Sequence, residues 1–341
     1  MERIAVIGAG SWGTALAQVE ACAGHYVTLW DRNGQLLKDI FGSRQNLKYH
    51  AGRQLSLNIH PTSDIRGALQ DAVLVIVAIP SNTFRAYLPK IVQYLEENTI
   101  LVSAAKGIEV NTLKTLSSVA EEILKNHPVK KNYAVLSGPS FAREVIENSP
   151  TAVTVASKNE EIAKKVQTIC HTETFQIFTT TDVIGVEVAG ALKNVIAIAA
   201  GASDGFGFGL STRAALITRG LTEISRIGEK MGANPLTFLG LSGLGDLILT
   251  CTSDLSRNRQ VGLKLAQGKS LRVVLKEVGQ TAEGIRTAKA AFKLAQSLHV
   301  EAPILEEIYL TLHKGKPPKQ AIKDLLTRAP EDERKLGTRT H

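Results

Sequence analysis

The chain has little cysteine. Its 341 residues hold three, Cys22, Cys170 and Cys251, far apart and without a CxxC pair. An odd, scattered set is no disulfide framework, and the expected compartment is the cytoplasm. Aromatic residues make up only 5%. No basic stripe is interleaved with them, so a nucleic-acid surface is not expected. The eight histidines are scattered, with no metal-ligand spacing, and no metal is expected. No internal repeat or low-complexity tract occurs. The opening residues, Met1-Glu2-Arg3-Ile4, run at once into a strand-like segment, so a signal peptide is not expected. The longest apolar stretch, Val183–Ala202, carries Glu187, Lys193 and Asn194, which argues against a membrane span.

What is present is an ordinary globular balance, 44% hydrophobic and 21% charged, in a chain long enough for two domains. The net charge is +8. Half of that excess lies from Lys314 to the end, and the rest is spread thinly, which suits small anionic ligands.

The first half alternates short apolar runs with helical segments. Ile4–Ile7, Tyr26–Trp30, Val73–Ile79, Thr99–Ser103 and Tyr133–Leu136 predict strands of a parallel sheet covered on both faces. Thr151–Ala156 and Phe175–Phe178 read as later additions to it. After about Asp182 strand runs give way to helical periodicities: Val183–Ala202, Thr212–Met231, Arg257–Gln267, Thr281–Leu298, Ile304–Leu312 and Pro318–Leu326. The fold class is therefore α/β, a parallel-sheet domain over 1–185 followed by an all-helical domain over 186–330. The charged end, 331–341, is expected to fray.

Gly8-Ala9-Gly10-Ser11-Trp12-Gly13 spells GxGxxG between a predicted strand and the helix Ser11–Cys22. In that context Gly8 permits the tight turn, Gly10 lets a pyrophosphate approach, and Gly13 lets helix pack on strand. The helix start presents N–H groups and a partial positive charge to phosphates. Asp31 ends the second strand at the distance where an acidic residue reads the ribose of NAD. Arg32 beside it suits the 2′-phosphate of NADP, and Asp31 equally suits the capping of a turn, so the cofactor is NAD or NADP. Arg44, Lys48 and Arg53 in the 41–53 loop fit either a phosphate-facing lid or a solvated loop.

Lys193 interrupts an otherwise apolar helix next to Asn194. A lysine there either snorkels to solvent or meets a partner. As a functional group it exchanges a proton with a substrate hydroxyl, and Asn194 fixes a neighbouring oxygen. Lys106 and the Ser137-Gly138-Pro139-Ser140 turn follow predicted strands, where α/β sheets bind ligands. Pro139 suits a first helical position capped by Ser137 or Gly138. Asp246 and Thr250 are spaced i, i+4 and share a helical face. Ser256-Arg257-Asn258-Arg259 opens a helix that Gly268 stops, and a serine cap with an arginine fork makes a phosphate-monoester site.

Together these pieces resemble the soluble, bacterial-type NAD(P)-dependent glycerol-3-phosphate dehydrogenases. The match is carried by GAGSWGTALA (8–17), AAKGIE (104–109), SGPSFARE (137–144), EVAGALKNVIAIAAG (187–201), GLGDLILTCTSDLSRNR (243–259) and EG (283–284). The resemblance implies a Rossmann-like NAD(P) domain, a helical substrate and dimerisation domain, and a homodimer. It implies interconversion of dihydroxyacetone phosphate and sn-glycerol 3-phosphate, which supplies phospholipid backbones. Lys193 is then the acid/base group, and Lys106, Asp246 and Thr250 line the substrate site. Arg257 and Asn258 hold the phosphate beside Ser256. Gly138, Ser140 and Ala142 lie where substrate and cofactor meet, and Lys106, Arg257 and Glu283 also contact cofactor. Ser11, Trp12 and Arg32 fall at nucleotide positions. A related hydroxyacid dehydrogenase and a non-catalytic dinucleotide sensor are the competing readings. The Ser256–Arg259 anion site speaks against the first, and the lysine–aspartate–arginine set against the second.

Overall fold

In the computed structural model, residues 1–279 and 282–328 are described. The expected fraying of 331–341 and the helix start at Thr281 lie outside them. The chain forms two compact units. One is Met1–Lys106 with Leu116–Val183, and the other is Gly107–Thr115 with the chain from Ile184 on. The segment 107–115, placed in the first domain by a boundary near 185, thus belongs to the second unit.

The first unit is an eight-stranded sheet: β1 (Arg3–Ile7), β2 (Tyr26–Trp30), β3 (Ile59–Thr62), β4 (Leu74–Val77), β5 (Ile100–Ser103), β6 (Tyr133–Ser137), β7 (Thr151–Ala156) and β8 (Phe175–Thr180). Their order is β3-β2-β1-β4-β5-β6-β7-β8. Pairing is parallel throughout except β6 with β7, so the predicted parallel sheet carries one antiparallel step. The apolar runs alternate between two cores. Ile4, Val6, Leu74 and Ile76 enter one, and Ala5, Ile7, Val75 and Val77 the other. A strand buried on both faces reads as continuous hydrophobicity. β3 carries none of that signal: IHPT includes Pro61, which the ladder tolerates because β3 is an edge strand. The crossovers hold α1 (Ser11–Cys22), α2 (Gly34–Ser43), α3 (Ile65–Leu69), α4 (Phe84–Val92), α5 (Leu116–Ile123), α6 (Ala142–Ile146) and α7 (Glu160–Cys170). Order reverses between β1 and β4, and the glycine-rich turn follows β1 at that switch point.

The second unit is helical: α8 (Val183–Gly205), α9 (Leu210–Lys230), α10 (Asp246–Thr252), α11 (Arg257–Ala266), α12 (Leu271–Val278), α13 (Glu283–Ser297), α14 (Pro303–Lys314) and α15 (Pro318–Leu326). α8 is long and apolar enough to cross a membrane, but 94% of its apolar window is buried inside the protein. Val188, Ile196, Ala197, Ile198 and Ala191 point around its whole circumference into one core. An all-round apolar helix is the axis of a globular core.

Candidate active site

In the first unit, Gly8 has φ +113°, and a Cβ there would meet Ala78 O at 2.8 Å. A Cβ on Gly13 would lie 1.9 Å from Gly8 O. Around Gly10, by contrast, a Cβ would meet nothing within 4 Å. That is the pattern of a turn held by close approaches at both ends and open in the middle. Gly10 is the N-cap of α1 and supplies no side-chain cap, so the first N–H groups of the helix suit a dinucleotide's phosphates.

Asp31 is committed to the backbone. Its Oδ2 accepts from Ala9 N at 2.9 Å and its Oδ1 from Asn33 N at 2.9 Å. It ties the end of β2 to the phosphate turn, the turn-capping alternative. Arg32 is exposed and donates to the Tyr87 hydroxyl at 3.4 Å. That bond raises its already high pKa, so it stays a fixed cation.

The 41–53 loop reaches the turn through residues with no motif. Buried Asn46 donates to Ala9 O at 3.0 Å and Thr14 Oγ1 at 2.8 Å. His50 Nε2 donates to Ser11 O at 2.8 Å, and burial lowers its pKa, which favours the neutral ring. The loop's arginines point elsewhere: Arg44 bonds to the carbonyls of Ser56 and Ile59, and Arg53 pairs with Glu147. Neither is used as a lid cation in this arrangement. Asn46 and His50 are missed by sequence reasoning because polar loop residues carry no spacing signal.

At the ends of β5 and β6, Lys106 Nζ donates to Gly138 O at 3.2 Å, and so does Ser140 Oγ at 3.2 Å. Gly138 has φ +142°, and a Cβ there would meet Val153 Cα at 2.8 Å. α6 starts only at Ala142, with Phe141 as N-cap and no side-chain cap. Pro139 is therefore outside the helix and Ser137 does not cap it. The left-handed glycine and the proline make a turn before the chain can become helical.

In the second unit, Lys193 lies on α8 among apolar side chains, yet does not snorkel. Its side chain is 9% exposed, and its ammonium pairs with Asp246 and donates to Thr250 Oγ1 at 2.8 Å. Thr250 in turn donates to Asp246 O at 2.6 Å. The i, i+4 spacing brings both residues to one face of α10. A π-helical turn over Leu241–Gly245 delivers α10, and a Cβ on Gly243 would strike Phe238 O at 2.1 Å. Nearby Cys251 is buried, which pushes its thiol up to about 12. It stays protonated and is no nucleophile.

Asn194, the next residue, accepts from Asn258 Nδ2 at 2.8 Å, and Asn258 Oδ1 accepts from Gly284 N at 3.0 Å. The two amides link α8, α11 and the first turn of α13, which Glu283 opens. Ser256 caps α11 by accepting from Arg259 N at 3.2 Å, and Gly268 follows the helix with φ +86°. Arg257 is exposed at the first position of α11. Lys193, Asp246, Thr250, Asn194 and Asn258 are thus brought together within the second unit. Lys106, Gly138 and Ser140 form a separate group within the first. Among the described residues, no group of three His, Cys, Asp or Glu side chains fits a metal.

Two family models account for most of the chain. Residues 3–163 match the NAD-dependent glycerol-3-phosphate dehydrogenase N-terminus, and 182–323 match its C-terminus. The chain belongs to that family. It is 49% identical to a glycerol-3-phosphate dehydrogenase (NAD(P)+) of Anaeromyxobacter dehalogenans over 97% of this chain and 99% of the relative. A protein of the same name from Geobacter sp. strain M21 is 48% identical, covering 96% and 97%. The crystal structure of glycerol-3-phosphate dehydrogenase from Coxiella burnetii superposes with a TM-score of 0.90 at 35% identity, over 96% of this chain and 99% of that one. In this glycerol-3-phosphate dehydrogenase family member, one string has the letters of a hydrolase nucleophile elbow without its geometry. Gly201-Ala202-Ser203-Asp204-Gly205 spells GxSxG, but it lies inside α8 with Ser203 fully buried, whereas a nucleophile elbow needs an exposed strand-to-helix turn.

Proposed function

We propose that this protein reduces dihydroxyacetone phosphate to sn-glycerol 3-phosphate with NADPH or NADH. The observation that carries the reading is the buried ammonium of Lys193 held by Asp246 and Thr250 in the same helical unit as the Ser256-capped start of α11. Family membership makes the chain a NAD(P)-dependent oxidoreductase.

The nicotinamide, when bound, supplies hydride to the C2 carbonyl carbon of the substrate. The protein's part is the oxygen and the phosphate. Lys193 donates a proton to the oxygen as it becomes an alkoxide. Asp246 and Thr250 fix the direction of the ammonium, and the carboxylate offsets its burial. Asn194 and Asn258 brace that arrangement through each other. Arg257 grips the phosphate with N–H groups of the first turn of α11, so binding energy remote from C2 positions the reacting carbon. Roles for Lys106, Gly138 and Ser140 on substrate, and for Ser11, Trp12, Lys106, Ala142, Arg257 and Glu283 on cofactor, rest on the family motifs. In this reading the first unit is the NAD(P) domain and the second, with residues 107–115, is the substrate and dimerisation domain. The same reading makes the protein a cytoplasmic homodimer that feeds phospholipid synthesis.

Asp31 spends both carboxylate oxygens on backbone N–H groups, while Arg32 stands exposed beside it. We therefore read the nucleotide end as favouring the 2′-phosphate of NADPH. A substrate panel tests the main reading. Dihydroxyacetone phosphate should exceed every unphosphorylated 2-keto acid in kcat/KM. A keto acid that outperforms it would replace the reading with a hydroxyacid dehydrogenase.

A further inference from the structure

We propose that Asp204 is a positioning residue for the substrate phosphate, acting through Arg259 on the first turn of α11. The inference rests on the reading that Arg257 grips that phosphate. Asp204 lies near the end of α8, with its side chain 7% exposed. One carboxylate oxygen takes the edge of Arg259 on α11, with Nε at 2.8 Å and Nη2 at 2.7 Å. The other takes the edge of Arg213 on α9, with Nε at 2.8 Å and Nη2 at 2.6 Å. Arg259 Nη1 also pairs with Asp254 in the loop before α11. A buried carboxylate persists only with such partners, and edge-on guanidinium pairs fix direction as well as distance.

Asp204 of α8 and Asp254 of the loop therefore converge on one guanidinium two residues after Arg257, and Arg213 of α9 holds the same Asp204 carboxylate by its other oxygen. On a helix of 3.6 residues per turn those two side chains leave about 200° apart. Arg259 thus faces the body of the unit while Arg257 faces out from it. Ser256 caps the amide of Arg259 itself, so the anchor and the cap act on the same turn.

The contact between α8 and α11 leaves no slack. A Cβ on Gly201 would lie 1.9 Å from Arg259 O, and one on Gly262 would lie 1.9 Å from Ile198 O. The backbones touch, and the Asp204–Arg259 pair locks where α11 sits along α8. α8 also carries Lys193, eleven residues earlier, about three turns or 16 Å along the axis. One rod hence holds the start of the phosphate-gripping helix at two points, Asn258 at Asn194 beside the proton donor and Arg259 at Asp204. Asp204 touches neither reacting atom nor phosphate; it sets where Arg257 stands.

The test is steady-state kinetics on the full-length protein with dihydroxyacetone phosphate and NADPH. Asp204→Asn should raise KM for dihydroxyacetone phosphate about tenfold or more, the scale of a lost charge-assisted bond. KM for NADPH and kcat at saturating substrate should stay within about threefold. Arg259→Lys, which keeps the charge but not the planar edge, should shift KM the same way and serves if Asp204→Asn fails to fold. The decisive arm is a double-mutant cycle. Added to Arg257→Ala, Asp204→Asn should raise KM by a clearly smaller factor than it does alone, because one of the groups that the turn positions is gone. An unchanged KM in the folded variants, or fully additive effects with Arg257→Ala, overturns the proposal. Failure of the functional reading is separately visible, because the wild-type protein would then not turn over dihydroxyacetone phosphate at all.

Discussion

At the level of single residues, the site depends on a lysine that sequence reasoning leaves between two environments. Val188, Leu192, Val195 and Ile196 show that Lys193 lies in a core, but nothing local says whether its ammonium escapes. Asp246 and Thr250 are fifty-three and fifty-seven residues away, so only the fold shows that it is held. Lys193→Ala leaves the buried Asp246 without its cation, which costs about 3–5 kcal/mol of stability, and the variant that still folds in a thermal melt should lose at least about 10²-fold in kcat, the low end for acid–base groups. Near-normal turnover would remove Lys193 from the chemistry. Arg257→Ala should instead appear mainly in KM for dihydroxyacetone phosphate, about tenfold or more. At the nucleotide end, Arg32→Ala should lower kcat/KM for NADPH by about tenfold and leave NADH within about threefold, the loss expected for one arginine–phosphate contact. Equal loss with both nucleotides would show that Arg32 does not read the 2′-phosphate. Asp31 illustrates what a motif leaves open: its position suits the ribose, and its oxygens in fact hold Ala9 and Asn33.

Among the elements, several were legible from their local sequence alone. α1 and α15 span the residues their sequence patterns predict, and the two-faced burial of β1 and β4 explains their continuous apolar runs. The amphipathic α12 was not assigned from the sequence, and two other elements went unforeseen because their signal is tertiary. β3 has a proline and a histidine in four residues and exists because it pairs with β2 at an edge. The π-helical turn before α10 exists because Gly243 can touch Phe238. Glycine contacts of this kind are testable. Gly13→Ala would place a methyl against Gly8 O, and overpacking of that sort costs about 1–3 kcal/mol. The variant should melt lower and bind NADPH more weakly, whereas unchanged binding would mean the turn has room to move.

A second element-level prediction concerns Glu20 on α1. It is fully buried, and desolvation raises its pKa from 4.5 to about 8, partly offset by a hydrogen bond with Cys170. The folded state then keeps a proton that the unfolded state releases. Stability from this group is fully present below pH 4.5 and is lost as pH rises through about 8. Glu20→Gln removes that dependence, at about 1.4 kcal/mol per pH unit at most within this window. Thermal melts of the nucleotide-free protein should show the variant gaining Tm relative to wild type between pH 5 and pH 9. Parallel Tm curves would mean that Glu20 does not titrate within this range. Glu223, which caps the start of α14 through Ile304 N and Leu305 N, is raised by burial to about 7 and contributes in the same direction.

For the whole molecule, the sequence carries the class of the fold and the inventory of the site more fully than the site's internal wiring. The GxGxxG turn, the Lys193 helix and the Ser256–Arg259 start were readable because each combines a residue type with a fixed local context. The bracing around them was not. Asn46 and His50 behind the phosphate turn, the Asn194–Asn258 link and the Asp204–Arg259 anchor each join residues far apart in the chain, and none has a local spacing. The central claim is the reaction itself. Its most direct test is the consumption of NADPH and of NADH by the purified protein with dihydroxyacetone phosphate, followed by nicotinamide absorbance. The account predicts rapid, substrate-dependent oxidation, faster in kcat/KM with NADPH. Folded protein that binds nucleotide but oxidises neither cofactor would contradict it.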